Sequence, residues 1–127
     1  MQNDREKFKM EFKKRMYAWT LQLIKFINSL PKNLGTEVMG KQLMRSGTSV
    51  IANYTEASSA SSRKDFANFF SHALKSANES KVWLALIRDT NETKKKEVEV
   101  LLEELNEIAK ILASSIITLK EKRLAKI

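Results

Sequence analysis

The chain has no cysteine, one proline, one histidine and three glycines among 127 residues. Without cysteine there can be no disulfide, no thiolate-bound zinc and no thiol nucleophile. Few helix breakers disfavour a fold of many tight turns and predict long helices. A single histidine, with no Glu-x-x-His anywhere, excludes the paired ligand motif of di-iron bundles. A Gly-rich phosphate loop, a G-x-S-x-G elbow and an H-E-x-x-H helix are missing too. No run reaches the roughly 18 uncharged apolar residues that a membrane span needs. The start, Met1 to Lys7, is polar and no apolar stretch follows it, so it does not resemble a signal peptide. These absences predict a cytoplasmic protein with no catalytic site, no cofactor, no metal and no membrane partner.

What the chain does have is positive charge and helical periodicity. Its net charge is +8. Residues 1–64 carry 12 basic and 5 acidic side chains, whereas residues 65–127 carry 11 and 10. The excess therefore sits in the first half and points to a polyanionic partner such as RNA or DNA. The hydrophobic fraction, 43%, is that of a folded globular chain.

Apolar residues recur every three or four positions in four segments. The first, 4–29, shows Phe8, Phe12, Met16, Trp19, Leu23 and Phe26, and Pro31 stops it. Leu34-Gly35 reads as its turn. The second, 36–57, shows Met39, Leu43, Val50 and Tyr54. The third, 63–88, follows a Ser-rich stretch in which Ser61 or Ser62 can cap it, and shows Phe66, Phe70, Ala73, Ala77, Leu84 and Ile87. The fourth, 94–123, shows Val98, Leu101, Leu105, Ile108, Leu112, Ile116 and Leu119, with Thr93 as a candidate cap. Acids fill its first half; Lys110, Lys120, Lys122, Arg123 and Lys126 fill the second, as the helix dipole favours. Four helices of similar length with short links predict one domain, 1–127, an all-α antiparallel up-down-up-down four-helix bundle.

The second helix is unusual. At 100° per residue, Gln42, Arg45, Ser46, Ser49, Asn53 and Glu56 form one polar stripe. Gly40, Met44, Thr48, Ile51 and Thr55 form a stripe without charge. Uncharged surface beyond the core suggests a subunit interface, with Gly40 and Gly47 letting a partner backbone come close. Helix three adds His72, Ser76, Glu79 and Trp83. Arg45, Asn53, Glu56, His72 and Glu79 could form one buried polar network between helices two and three or across an interface, fixing register. The rival is an acid/base or metal cluster of Glu56, Glu79 and His72.

The run Gln42-Leu43-Met44-Arg45-Ser46-Gly47-Thr48-Ser49-Val50-Ile51-Ala52-Asn53-Tyr54-Thr55-Glu56 resembles the signature of the 23S rRNA-intervening-sequence proteins. Ser62-Arg63-Lys64-Asp65-Phe66 and Ala73-Leu74-Lys75-Ser76-Ala77-Asn78-Glu79 resemble two further family patterns. Ala57 stands where the family usually has glycine, and Tyr54 replaces a smaller aliphatic residue. The resemblance implies a homopentamer of four-helix subunits, encoded within intervening sequences of bacterial 23S rRNA genes. It also implies distant kinship with accessory proteins of diversity-generating retroelements.

Together these features predict a non-catalytic oligomeric module that touches nucleic-acid phosphates without reading sequence. Lys7, Lys14 and Lys25 lie on one edge of helix one, with Lys13 and Arg15 flanking, and are the predicted contacts. The alternative is a scaffold for an acidic protein partner with no nucleic-acid role.

Overall fold

The computed structural model describes residues 3–125, with side chains as far as Glu121. Met1, Gln2 and Lys126 lie outside the described residues, as do the side chains of Lys122 and Arg123. Four α-helices follow in order: α1 Asp4–Asn28, α2 Leu34–Ser58, α3 Arg63–Thr90 and α4 Lys95–Ala125. A single 3-10 turn, Glu92–Lys94, precedes α4. No strand occurs among the described residues.

Side-chain caps set three of the starts. Asn3 accepts from the Glu6 amide, Asn33 from the Thr36 amide and Ser62 from the Asp65 amide. Each satisfies an amide that the first turn leaves without an intrahelical partner. Two expected boundaries move for this reason. Leu34 and Gly35 belong to the first turn of α2, because Asn33 is its cap. The link left between the third and fourth expected helices, 89–93, is shorter: α3 continues to Thr90, and Thr93, the candidate cap, lies inside the 3-10 turn, where no side chain caps.

The directions of the helices follow from which residues meet. Phe12 meets Tyr54 at one end of the α1–α2 seam, and Gly40 meets Ile27 and Leu30 at the other, so these helices run antiparallel. Tyr54 with Phe70 and Arg45 with Glu79 show the same for α2 and α3. Arg15 with Glu104, and Ser29 just past α1 with Lys94 just before α4, show it for α1 and α4. The four helices form a closed ring in which each backbone runs close beside its two neighbours, while α1 and α3, like α2 and α4, stand diagonally across the core. Among the described residues no helix is long and apolar enough to cross a membrane.

The interior is one continuous apolar cluster. Met16, Trp19 and Leu23 of α1 face Leu43 and Val50 of α2, Leu84 and Ile87 of α3, and Leu105, Ile108 and Leu112 of α4; all are essentially inaccessible. Burying a side chain of this size contributes about 1.5–3 kcal/mol. Trp19 can be fully buried because its indole N–H donates to the Leu101 carbonyl at 3.0 Å. Phe8, expected in this stripe, is 53% exposed. It sits at one end of the bundle, stacked on Phe12.

Candidate nucleic-acid interface and subunit surface

Helix periodicity puts Lys7, Lys14 and Lys25 within about 20° of one another, along about 27 Å of α1. All three are exposed, as is Lys13. None of the four forms an ion pair with a described residue. Their positive charge is therefore open to solvent anions. Arg15 differs. Its guanidinium grips Glu104 of α4 in a two-point contact, Nε to Oε2 at 3.1 Å and Nη2 to Oε1 at 2.6 Å. The hydrogen bonds and charge of Glu104 raise its pKa further. Arg15 is thus a clasp between α1 and α4, not a free phosphate contact, because its fork is already filled by a carboxylate.

The α2–α3 seam gathers part of the predicted polar set. The Arg45 guanidinium bonds the Glu79 carboxylate and the Gln42 amide oxygen, the latter at 3.0 Å. Glu79 also accepts from the Trp83 indole at 2.9 Å. The Trp83 hydrogen bond, then the Arg45 hydrogen bond and charge, hold the Glu79 carboxyl below its ordinary value against the opposing effect of burial. Deeper in the seam Ser46 bonds Ser80 at 2.8 Å, and Ser80 donates to the Ser76 carbonyl. Both hydroxyls are fully buried and mutually satisfied.

The rest of that set does not join. Ser49 and Asn53 bond only main-chain carbonyls of their own helix. Glu56 and His72 are exposed and make no hydrogen bond or ion pair with a described residue. In the single chain the expected buried network is therefore two smaller clusters, one of them open: the Arg45 and Glu79 side chains are 57% and 39% exposed. Nor do Glu56, Glu79 and His72 gather as an acid/base or metal trio. Among the described residues no group of three His, Cys, Asp or Glu side chains is placed to hold a metal ion.

The uncharged stripe of α2 is also divided. Gly40 and Gly47 are buried against α1 of the same chain. A Cβ on Gly40 would meet Ile27 and Leu30, and one on Gly47 would overlap Leu23. The glycines thus serve the α1–α2 seam rather than a partner backbone. Met44, Thr48 and Ile51 border this seam half-buried. The hydroxyl of Thr48 is turned onto the Met44 carbonyl at 2.7 Å.

Three participants escaped the sequence reading as partners. Ser80 was not singled out, since a serine on a core stripe gives no sign of its partner. Glu104 is one of several acids in the first half of α4, and only the α1–α4 alignment shows that it faces Arg15. Trp83 was placed beside Glu79, and their spacing of four, one helical turn, was the available signal.

The family model described as 23S rRNA-intervening sequence protein matches residues 9–114. Among solved structures, the chain resembles a protein of unknown function from the S23 ribosomal protein family of Bacteroides thetaiotaomicron. The two are 37% identical, with a TM-score of 0.74, over 83% of this chain and 97% of the other. A comparison with curated proteins found no match.

Proposed function

The chain belongs to the family of 23S rRNA-intervening sequence proteins, and from that premise we propose that it is a non-catalytic, self-assembling basic bundle that associates with nucleic acid through phosphate. The observation that carries this reading is the line of Lys7, Lys14 and Lys25, exposed and without acidic partners among the described residues. Such a line attracts a polyanion without distinguishing its bases. Self-assembly is supported by the α2–α3 face. Val38 of α2 and Val82 and Leu86 of α3, each about half exposed, lie on the same flank as the Arg45–Glu79 pair. Apolar residues around an ion pair are what a covered surface presents. The proposed assembly is the pentamer that the family resemblance implies. Five chains of +8 bring +40 to one particle.

The test is fluorescence anisotropy with labelled single-stranded RNA and duplex DNA, titrated between about 50 and 200 mM salt. Binding should weaken steeply with salt. Replacing Lys7, Lys14 and Lys25 by Gln should flatten the salt slope by about two to three per bound copy, since each phosphate contact contributes about 0.7 to 0.9. Absence of binding at low salt sinks the proposal. Binding only to an acidic protein, insensitive to the three lysines, replaces it with the scaffold reading.

A further inference from the structure

Among the described residues, one end of the bundle does not close. Where the start of α1, the end of α2, the start of α3 and the last part of α4 converge, a cavity of about 750 Å³ opens to solvent. Its size is within the range of small-molecule sites, about 300–1,000 Å³. The wall on one side is a continuous string of rings. Phe8 stacks on Phe12 at 6.2 Å, and Phe12 meets Tyr54 edge-on at 5.3 Å. Tyr54 meets Phe70 at 5.5 Å, and Phe70 meets Phe66 at 4.7 Å. Across from them α4 contributes Ile111 and Leu119 together with hydroxyls.

Two features say what such a cavity takes. The first is charge. Arg5, Lys9 and Lys110 line it and no Asp or Glu does. Lys110 has Glu107 at 3.6 Å, but Arg5 and Lys9 have no acidic partner among the described residues. The second is Tyr54. It is only 7% exposed and lines the cavity, yet its hydroxyl makes no hydrogen bond with a described residue. Burial pushes its pKa up, so it stays a neutral donor. The hydroxyl opens onto the cavity and is not sealed within the protein, so it can donate to an acceptor held there. Ala57, one turn of α2 beyond Tyr54, lines the cavity as well.

We propose that the cavity binds a small amphipathic organic anion, its ring or acyl body against the phenyl rings and its carboxylate, sulfonate or phosphate toward Arg5, Lys9 and the Tyr54 hydroxyl. A second copy of the chain is a poorer occupant, because it would bring the same basic rim against this one. The inference does not depend on the nucleic-acid reading, which rests on the opposite edge of α1.

Anilinonaphthalene sulfonate and its neutral analogue phenylnaphthylamine differ by the anionic group and fluoresce in apolar sites. The sulfonate should bind saturably, one per chain, and about tenfold tighter than the neutral dye, as expected for one charged hydrogen-bonded contact. The Arg5→Gln/Lys9→Gln variant should lose that preference and keep the neutral dye's affinity. Tyr54→Phe should weaken the sulfonate alone. Phe8→Glu, at an exposed position, should repel the sulfonate while circular dichroism stays unchanged. Equal affinities for the two dyes, non-saturable binding, or indifference of the sulfonate to these variants would overturn the proposal. Displacement of the dye by an oligonucleotide but by no small acid would overturn it as well.

Discussion

All three glycines of the chain lie in α2, and the two buried ones, Gly40 and Gly47, should answer differently to a methyl group. In an exposed helix interior, Gly→Ala stabilises by about 1 kcal/mol. At Gly40 a Cβ would find Ile27 at 3.5 Å and Leu30 at 3.8 Å, which is ordinary contact. Gly40→Ala should therefore keep most of that gain. At Gly47 a Cβ would overlap the Cδ2 of Leu23, with Leu23 Cγ and Trp19 Cη2 both at 3.6 Å. Leu23 and Trp19 are 0% and 1% exposed, so neither can swing out to solvent. Overpacking of this kind costs about 1–3 kcal/mol. Set against the propensity gain, Gly47→Ala should lie between neutral and about 2 kcal/mol destabilising. The two variants then differ by about 1–3 kcal/mol. With an unfolding entropy near 2.1 cal/mol/K per residue, that is about 4–11 °C in Tm. Urea and thermal unfolding at one fixed protein concentration measure it. Leu23→Ala alone should cost about 3–5 kcal/mol, and clearly less in the Gly47→Ala background, where the new methyl occupies part of the void. Equal stability of Gly40→Ala and Gly47→Ala, or strict additivity with Leu23→Ala, would refute the packing argument.

Arg45→Ala should change melting of the dissociated chain by less than about 1 kcal/mol, because the pair with Glu79 is half open to solvent. If the α2–α3 face is covered in the assembly, the same change should lower the mass seen by light scattering; an unchanged mass would separate this face from subunit contact. Glu79 should govern an acid transition. Its folded pKa is depressed, so its contribution is present above the unfolded carboxylate value, about 4.3, and is lost as pH falls through the lower folded value. The Trp83 indole N–H resonance should titrate with a midpoint below about 4.3. Arg45→Ala should raise that midpoint only in part, since the Trp83 bond is the larger cause. A midpoint at or above the ordinary value would contradict the geometry.

Most of the helical layout was legible because periodicity is a local property. Met16, Trp19 and Leu23, or Val98, Leu105 and Leu112, repeat along a single helix, and each repeat marks the side that must leave water. Boundaries shifted where one cap outranked a stronger-looking breaker, as Asn33 did over Gly35. The candidate site was legible by composition but not by pairing. The wheel put Arg45 on a polar stripe and Glu79 on another. It could not show that these meet while Glu56 and His72 do not, because that depends on how far each stripe turns from the shared seam. It also gave Gly47 to a partner surface, and only the position of α1 shows that the glycine is covered within the chain. The cavity left no sequence signal, since it arises where five rings from three helices fail to fill one end.

The ring of helices has one seam unlike the others. Each of the remaining seams joins segments adjacent along the chain, so it forms by closing a short loop. The α1–α4 seam joins Trp19 to Leu101 across 82 residues and Arg15 to Glu104 across 89. Distant pairings bear a larger closure entropy before their contacts can reward it. This seam is therefore expected to zip last, with α2, α3 and α4 already associated. Its indole hydrogen bond makes Trp19 an intrinsic optical clock for the final step by which the chain becomes a closed bundle.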